Sequence, residues 1–365
     1  MCSTPAHRGD CCKRSNCQVN VFRCGDNPII KPNDIKPSRD DFEVIGVFNP
    51  GVARFSKEVI LLLRVAERPI QRDPNVVRVA FHDAASDAIV TKDIAKNIEA
   101  DFSDPRLIVT PNATLLTSIS HLKPARSEDG VHFRIEQDAA LAAANEYESF
   151  GIEDARISLI DGTYYIDYVA VSPYGVSTAL ASTKDFRTFE RHGVIFCPEN
   201  KDVVLFPEKI HGRYYALHRP VSSLFSKHDI WISESPDLLC WGNHRRLMGR
   251  RDNSWDEAKI GASAVPFRTK AGWVEIYHGA DRNNRYCLGA VLLDADQPWK
   301  VIARADQPIL APETDYECDG FFSNVVFSCG LILDQEKLNV YYGVADTSIA
   351  YAQITLDATM ASLGL

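Results

Sequence analysis

The chain has no run of about 18 apolar residues, so no membrane-spanning helix is expected. Its start, "MCSTPAHRGDCCKRSNC", lacks the apolar centre of a secretory signal. Positive charge is in deficit: 40 Lys and Arg stand against 49 Asp and Glu, a net charge of −9. That balance argues against a nucleic-acid binder, which normally presents a basic face. Helical periodicity is nearly absent, and the one candidate, "DAALAAANEYESF", reads equally as a loop with one helical turn. There is no G-x-x-x-x-G-K-[ST] phosphate loop and no G-x-S-x-G nucleophile elbow. There is also no H-E-x-x-H motif and no close His/Asp cluster that demands a catalytic metal.

Cysteine, by contrast, is plentiful. Cys2, Cys11, Cys12, Cys17 and Cys24 crowd the first 24 of the 365 residues, while Cys197, Cys240, Cys287, Cys318 and Cys329 are scattered. Several of the latter sit in apolar runs and read as buried free thiols. Without an export signal the compartment reads as reducing and cytoplasmic. The N-terminal cysteines with His7 fit no strong zinc spacing. Residues 1–20 are therefore expected to be a disordered extension, with zinc binding as the other reading. Residues 21–365 are expected to form one catalytic domain.

That domain reads as short strands separated by Gly, Pro, Asp and Asn, such as "VVRVAFHD" and "RLIVTP". One pattern recurs five times: "SKEVILLLR" (56–64), "DGTYYIDY" (161–168), "HGRYYALHR" (211–219), "AGWVEIYHG" (271–279) and "EKLNVYYG" (336–343). From Tyr164 onward the copies lie about 50 to 66 residues apart, the length of a four-stranded blade with long loops. "STKDFRTFERHG" (182–193) and "SESPDLLCWGNH" (233–244) repeat at a similar interval. "DNPIIKP" (26–32) near the start echoes "DQPILAP" (306–312) near the end, as in a ring whose terminal strands complete one blade. The expected fold is an all-β, five-bladed β-propeller with a central active-site funnel. A β-sandwich explains neither the count nor the echo.

In a propeller the innermost strands line a channel, so polar groups closing the recurring strands are candidates for one shared site. They are Arg64, Asp167, His218 with Arg219, His278, and Asp346. Asn49 in "FNPGVAR" adds a polar group at a tight turn, "PARSEDG" adds Arg126, Glu128 and Asp129, and the stretch 190–212 adds Arg191, Lys201, Asp202 and Lys209. Phe48, Tyr165, Phe206, Trp241, Trp273 and Tyr277 accompany them. Aromatic faces beside carboxylates suit sugar recognition; taken singly, each aromatic is more often core than platform. Glu153, Asp154 and Arg156 crowd the start of the apolar run "ISLI", a place where charges either end a strand in solvent or point into a site.

"GVFNPGVAR", "LLLRVAER", "ARSEDG", "EDARIS", "NKDVVLFPEKIHGRYYALHRP", "ESPDLLCWG", "KIGASAVP", "GWVEIYHGAD", "LGAVLLD", "PILAPE" and "LNVYYGVAD" occur in this order between about residues 21 and 352. Together they resemble glycoside hydrolase family 130, the β-mannoside phosphorylases. The resemblance implies a five-bladed propeller and inverting phosphorolysis of a terminal β-mannosidic bond, giving α-mannose 1-phosphate. An ordinary inverting glycosidase needs a second carboxylate to activate water. Phosphate is already an anion, so such a site needs cations to hold it instead.

Carried over by motif, Asp154 of "EDARI" is the general acid, relaying its proton through the mannose 3-hydroxyl. Asn49, Arg64 and Asp346 bind the sugar, Arg191, Lys209 and His278 bind phosphate, and Arg156 fixes the local loop. No metal or other cofactor is implied; inorganic phosphate is the co-substrate and a β-mannoside the substrate. Neither nucleic acid nor membrane is an expected partner, and a homo-oligomer is left open. Ser328-Cys329 stands where relatives commonly have a Pro. A β-mannoside hydrolase and a non-catalytic glycan-binding propeller remain as alternatives. Linkage and acceptor are not legible.

Overall fold

A computed structural model describes residues 19–138, 140–221, 225 and 227–365. Cys2, His7, Cys11, Cys12 and Cys17 of the cysteine-rich start lie outside the described residues. Five antiparallel sheets succeed one another along the chain. The first blade comprises Phe42–Phe55, Glu58–Pro69, Ile119–Ser127 and Arg134–Ile135, and the second Ile152–Ile160, Thr163–Ser172, Gly175–Thr183 and Glu190–Phe196. The third comprises Asn200–Leu205, Tyr214–Pro220, Ile230–Ser235 and Gly242–Met248. In the fourth, Lys259–Ala262, Gly272–Ala280, Tyr286–Leu293 and Val301–Arg304 are joined by Phe267–Thr269, which pairs with the second strand. The fifth takes Val326–Asp334, Lys337–Val344 and Ser348–Thr355 from the chain end and Val21–Arg23 from near its start. The architecture is a five-bladed β-propeller closed by its N-terminal strand, which removes two exposed sheet edges at once.

The five recurring segments are the second strands of the blades, not the innermost ones. Each is buried on both faces between neighbouring sheets, which explains its density of aromatic and β-branched residues. Five apolar clusters fill the five gaps. Ile60, Leu62, Ile157 and Ile166 pack between the first and second blades, and Leu180, Val203, Leu205 and Ala216 between the second and third. Val204, Leu217, Ile260 and Trp273 follow, then Ile276, Leu288, Val340 and Tyr342. Val47, Leu63, Tyr341 and Ile349 close the ring. Phe206, Trp273 and Tyr277 are core residues, 0–1% exposed, rather than sugar platforms.

The end-to-end echo has a local cause. Both copies follow the outermost strand of a blade and turn back onto its third strand, through Ile30 against Ile349 and Leu310 against Leu288. Leu141 does the same against Leu122. The repeat at 182–193 and 233–244 is a turn in which a hydroxyl and a carboxylate hold backbone N–H groups. Thr183 accepts from Phe186 and Asp185 from Arg187 and Thr188. Ser235 accepts from Leu238 and Asp237 from Leu239 and Cys240. "RSEDG" is a third copy, with Ser127 accepting from Gly130 and Asp129 from Val131 and His132. Such side-chain bonds mimic a backbone turn, so Asp129 belongs to the fold. Arg126 is spent on Glu136 and Glu58. The stretch "DAALAAANEYESF" contains one 3-10 turn, Glu146–Glu148, capped by Asn145. Cys287 and Cys329 are buried thiols, whereas Cys197 and Cys240 are exposed. An insertion at 70–118 in the first blade carries two hairpins, Val76–Asp83 with Ala88–Ala95 and Leu107–Val109 with Thr114–Leu116.

Candidate active site

The innermost strands share an irregularity at one level. In the first three blades two residues bulge opposite one on the second strand, between Phe48 and Gly51, Glu153 and Arg156, and Lys201 and Val204. The first bulged residue is Asn49, Asp154 and Asp202, with φ of 49°, 48° and 53°. Left-handed backbone is strained for most side chains and tolerated by Asn and Asp. A bulge re-aims the side chain it carries, and here it turns three polar groups toward the axis. Asp346, also left-handed at φ 50°, comes from a turn in the fifth blade.

Asp154 is 3% exposed. Its Oδ1 accepts from Asn49 Nδ2 at 3.0 Å and Arg64 Nη1 at 2.9 Å. Arg64 also donates to Glu153 at 2.7 Å and lies 4.6 Å from the centre of the Phe48 ring. Burial pushes the Asp154 carboxyl up, but Arg64, Lys201, Arg156 and Asn49 together hold it below the usual range. Asp346 is pushed up to about 6 by burial and by the charges of Asp154 and Glu153, against Arg64 and Arg106. Asn49, Arg64, Asp154 and Asp346 therefore form one cluster.

A second cluster faces it. Asp202, fully buried, pairs with Arg219 at 2.6 Å, His278 at 3.3 Å and Arg156 at 3.4 Å. Burial opposes its charge, yet Arg219, His278 and Lys201 keep it well below the ordinary range. Room for this contact comes from Gly261, where a Cβ would lie 2.3 Å from Asp202 Oδ2 and 2.5 Å from His278 Cε1. Lys259 completes the group. Its ammonium is pushed down to about 8 by burial and by Arg219, Lys201 and Arg106, although Asp202 opposes them. Its Nζ sits 5.1 Å from the Tyr286 ring centre. Arg106 reaches the mouth from the insertion and stacks 4.5 Å over Phe322.

Arg156, 1% exposed, ties the clusters together. It donates to the Asp154 carbonyl at 3.0 Å, to Ala262 at 3.1 Å, to Ser263 at 3.4 Å and to Asp202. It thus joins the second, third and fourth blades.

The structure does not bring Arg191 and Lys209 to the axis. Arg191 lies on the outermost strand of the second blade and is committed to buried Glu148 at 2.7 and 2.8 Å and to Tyr168 at 3.1 Å. Lys209 is exposed in the turn at the far end of the third blade's first strand, 4.6 Å from the Tyr214 ring centre. His278 is central, but both its nitrogens are engaged. Nε2 faces Asp202, which needs a donor there, so Nδ1 accepts from the Ser263 hydroxyl at 3.1 Å. Burial, with Arg219 and Arg156, pushes the imidazole down to about 4. His278 therefore holds Asp202 as a neutral ring. His218 points away, against Asn200, His244 and Phe196. Asp167 lies near the Arg156 charge and is pushed up to about 8 by burial. Lys259 and Arg106 were missed in the sequence. The available signal was a lysine opening the "KIGA" strand that pairs with "YHGA".

The assembly sets a hydrogen-bonded carboxyl opposite converging cations at the axis of a propeller, an arrangement for proton transfer beside a bound anion. The profile of a family described as beta-1,4-mannooligosaccharide phosphorylase matches residues 104–364. A beta-1,2-mannobiose phosphorylase of Listeria innocua is 48% identical over 337 residues, covering 91% of this chain and 95% of that one. A 1,2-beta-oligomannan phosphorylase of Thermoanaerobacter sp. is 43% identical over 247 residues, covering 67% and 81%. The solved complex of the Listeria innocua enzyme with beta-1,2-mannobiose superposes with a TM-score of 0.92 at 46% identity, covering 95% of this chain and 99% of that one. A thermostable family-43 glycoside hydrolase shares the fold alone, with a TM-score of 0.54 at 13% identity. The chain belongs to glycoside hydrolase family 130.

Proposed function

We propose that this chain is an inverting phosphorylase that transfers a terminal β-mannosyl unit to inorganic phosphate, releasing α-mannose 1-phosphate. We further propose β-1,2-mannobiose as its substrate, because the full-length relative at 48% identity carries that name. The observation that carries the reading is the convergence of Lys201, Arg219 and Lys259 beside Asp202. Like charges at contact repel by roughly 1–4 kcal/mol per pair in water-like to surface-like surroundings. A dianion held by charge-assisted hydrogen bonds relieves that repulsion.

In this mechanism phosphate, held by the cations, attacks the anomeric carbon from the face opposite the leaving oxygen. The C–O bond to the leaving sugar breaks as the new C–O bond forms. Asp154 supplies the proton that the leaving oxygen takes up, through the 3-hydroxyl of the mannose. In the free protein Asp154 is ionised, partly because of Lys201. Phosphate offsets the Lys201 charge and so moves the Asp154 carboxyl upward, toward its acid form, while Arg64, Arg156 and Asn49 continue to hold it down. Asn49, Arg64 and Asp346 hold the mannose hydroxyls.

Two predictions follow from the cation cluster. Arg219→Ala is expected to raise the phosphate KM at least tenfold, while Lys209→Ala leaves it near the wild-type value; one charge-assisted bond is worth about 1.5–3 kcal/mol. Equal effects of the two substitutions would contradict the cluster. The second concerns pH. Lys259 loses its charge as pH rises through about 8. The phosphate KM is therefore expected to climb between about pH 7.5 and 9.5 in the wild type and to stay flatter in Lys259→Arg, since guanidinium does not deprotonate in that range. Superimposable KM profiles for the two proteins would exclude the role of Lys259.

A further inference from the structure

A cavity of about 420 Å³ lies under the first blade, lined in part by Ser38, Phe42, Glu67, Ile119, His121 and Lys123. It is not the axial site. Register places Val65 opposite His121 and Leu63 opposite Lys123, while Arg64 stands opposite Leu122. Side chains alternate across a strand, so His121, Lys123 and Glu67 share the face opposite to that of Arg64. Ser120 lines the cavity and also accepts from Arg64 Nε at 3.4 Å, so only the sheet separates the two sites.

Three polar side chains in this cavity are more than nine-tenths buried: Glu67 at 1%, Lys123 at 6% and His121 at 8% exposure. Glu67 is held by the Ser38 N–H and hydroxyl, and Lys123 donates to the Gln137 carbonyl. Among the described residues His121 has no hydrogen-bond partner, although its ring lines the cavity. Its ring nitrogens are not among the buried unpartnered atoms, so they open onto the cavity and are placed to meet a ligand there.

We propose that this cavity is a second carbohydrate site that takes one neutral hexopyranose unit. Lys36 and Lys123 stand against Asp34, Glu67 and Asp138, and Glu136 is paired with Arg126, so the lining has one carboxylate in excess and offers a small anion no net attraction. Among the described residues no trio of His, Cys, Asp or Glu is placed to hold a metal. Hydroxyls donate to carboxylates and accept from ammonium and imidazole N–H, and a pyranose presents a C–H face to Phe42 and Ile119. A volume of 420 Å³ lies at the small end of ligand pockets, as a single ring requires. Burial pushes His121 down to about 4, so the imidazole meets the sugar neutral, with one donor and one acceptor.

The site does not rest on the phosphorylase reading, but the choice of D-mannose as probe does, so D-glucose is tested beside it. The experiment is equilibrium dialysis of the full chain with each radiolabelled sugar in phosphate-free buffer. The expected result is one bound equivalent that persists in Arg64→Ala and is lost in His121→Phe, with His121→Phe still catalysing phosphorolysis. Absence of a His121-dependent equivalent for both sugars overturns the proposal. Absence of an Arg64-dependent mannose equivalent counts instead against the mannoside reading. Crystals of the wild-type chain soaked in D-mannose decide the matter if His121→Phe does not fold. A sugar ring beside His121 and Lys123 supports the proposal, and water alone in the cavity overturns it.

Discussion

Asp154→Asn is expected to slow phosphorolysis by about 10²–10⁴-fold, the range for loss of a general acid. Asparagine keeps the shape of the side chain and tolerates the left-handed backbone at φ 48°. Arg64 retains Glu153 as its partner, at 2.7 Å. The fold should survive, and the loss should fall on kcat more than on the KM for the mannoside, because Asn49, Arg64 and Asp346 still meet the sugar. The reverse reaction, from α-mannose 1-phosphate, should slow by the same factor, since one proton path serves both directions. The check is steady-state kinetics in both directions beside a thermal melt. A folded variant retaining more than about half of the wild-type rate would remove Asp154 from the role of acid.

Arg156→Met is expected to have the largest effect on stability, roughly 3–5 kcal/mol. Arg156 satisfies the carbonyls of Asp154, Ala262 and Ser263 and contributes to Asp202. Methionine fills similar volume and offers no donor, so those acceptors lose their partner in a place where water does not reach. Asp167 and Glu275 lie in the same buried region. Burial already pushes both carboxyls up, Asp167 to about 8, with the Arg156 charge opposing that rise in each. Removing the guanidinium takes away that compensation as well. Urea unfolding monitored by tryptophan fluorescence measures the difference. An unchanged midpoint and slope would show that the axial network contributes little.

The blades were legible because each second strand is buried on both faces and must be apolar, as "HGRYYALHR" and "AGWVEIYHG" are. A repeated physical demand leaves a repeated pattern. Asn49, Arg64, Asp154 and Asp346 were legible through their motifs, and the bulges explain why Asn and Asp stand at those positions. The anion side was not legible in the same way. Arg191, Lys209 and Arg219 look alike in sequence, and only strand order separates a rim position, a distant turn and the axis. Lys209 follows the apolar "VVLFP" run, but that run ends before the turn and leaves the lysine exposed. Whether His278 has a free nitrogen depends on Asp202 and Ser263, one from another blade, and no spacing encodes that.

Phosphate, not water, is expected to receive the mannosyl unit. The direct measurement incubates the wild-type chain with β-1,2-mannobiose, with and without inorganic phosphate, and quantifies α-mannose 1-phosphate and free mannose over time. With phosphate, α-mannose 1-phosphate and mannose should form in equal amounts; without phosphate, neither should form. Two mannose molecules per mannobiose at the same rate in phosphate-free buffer would make the protein a hydrolase and contradict the assignment of Lys201, Arg219 and Lys259.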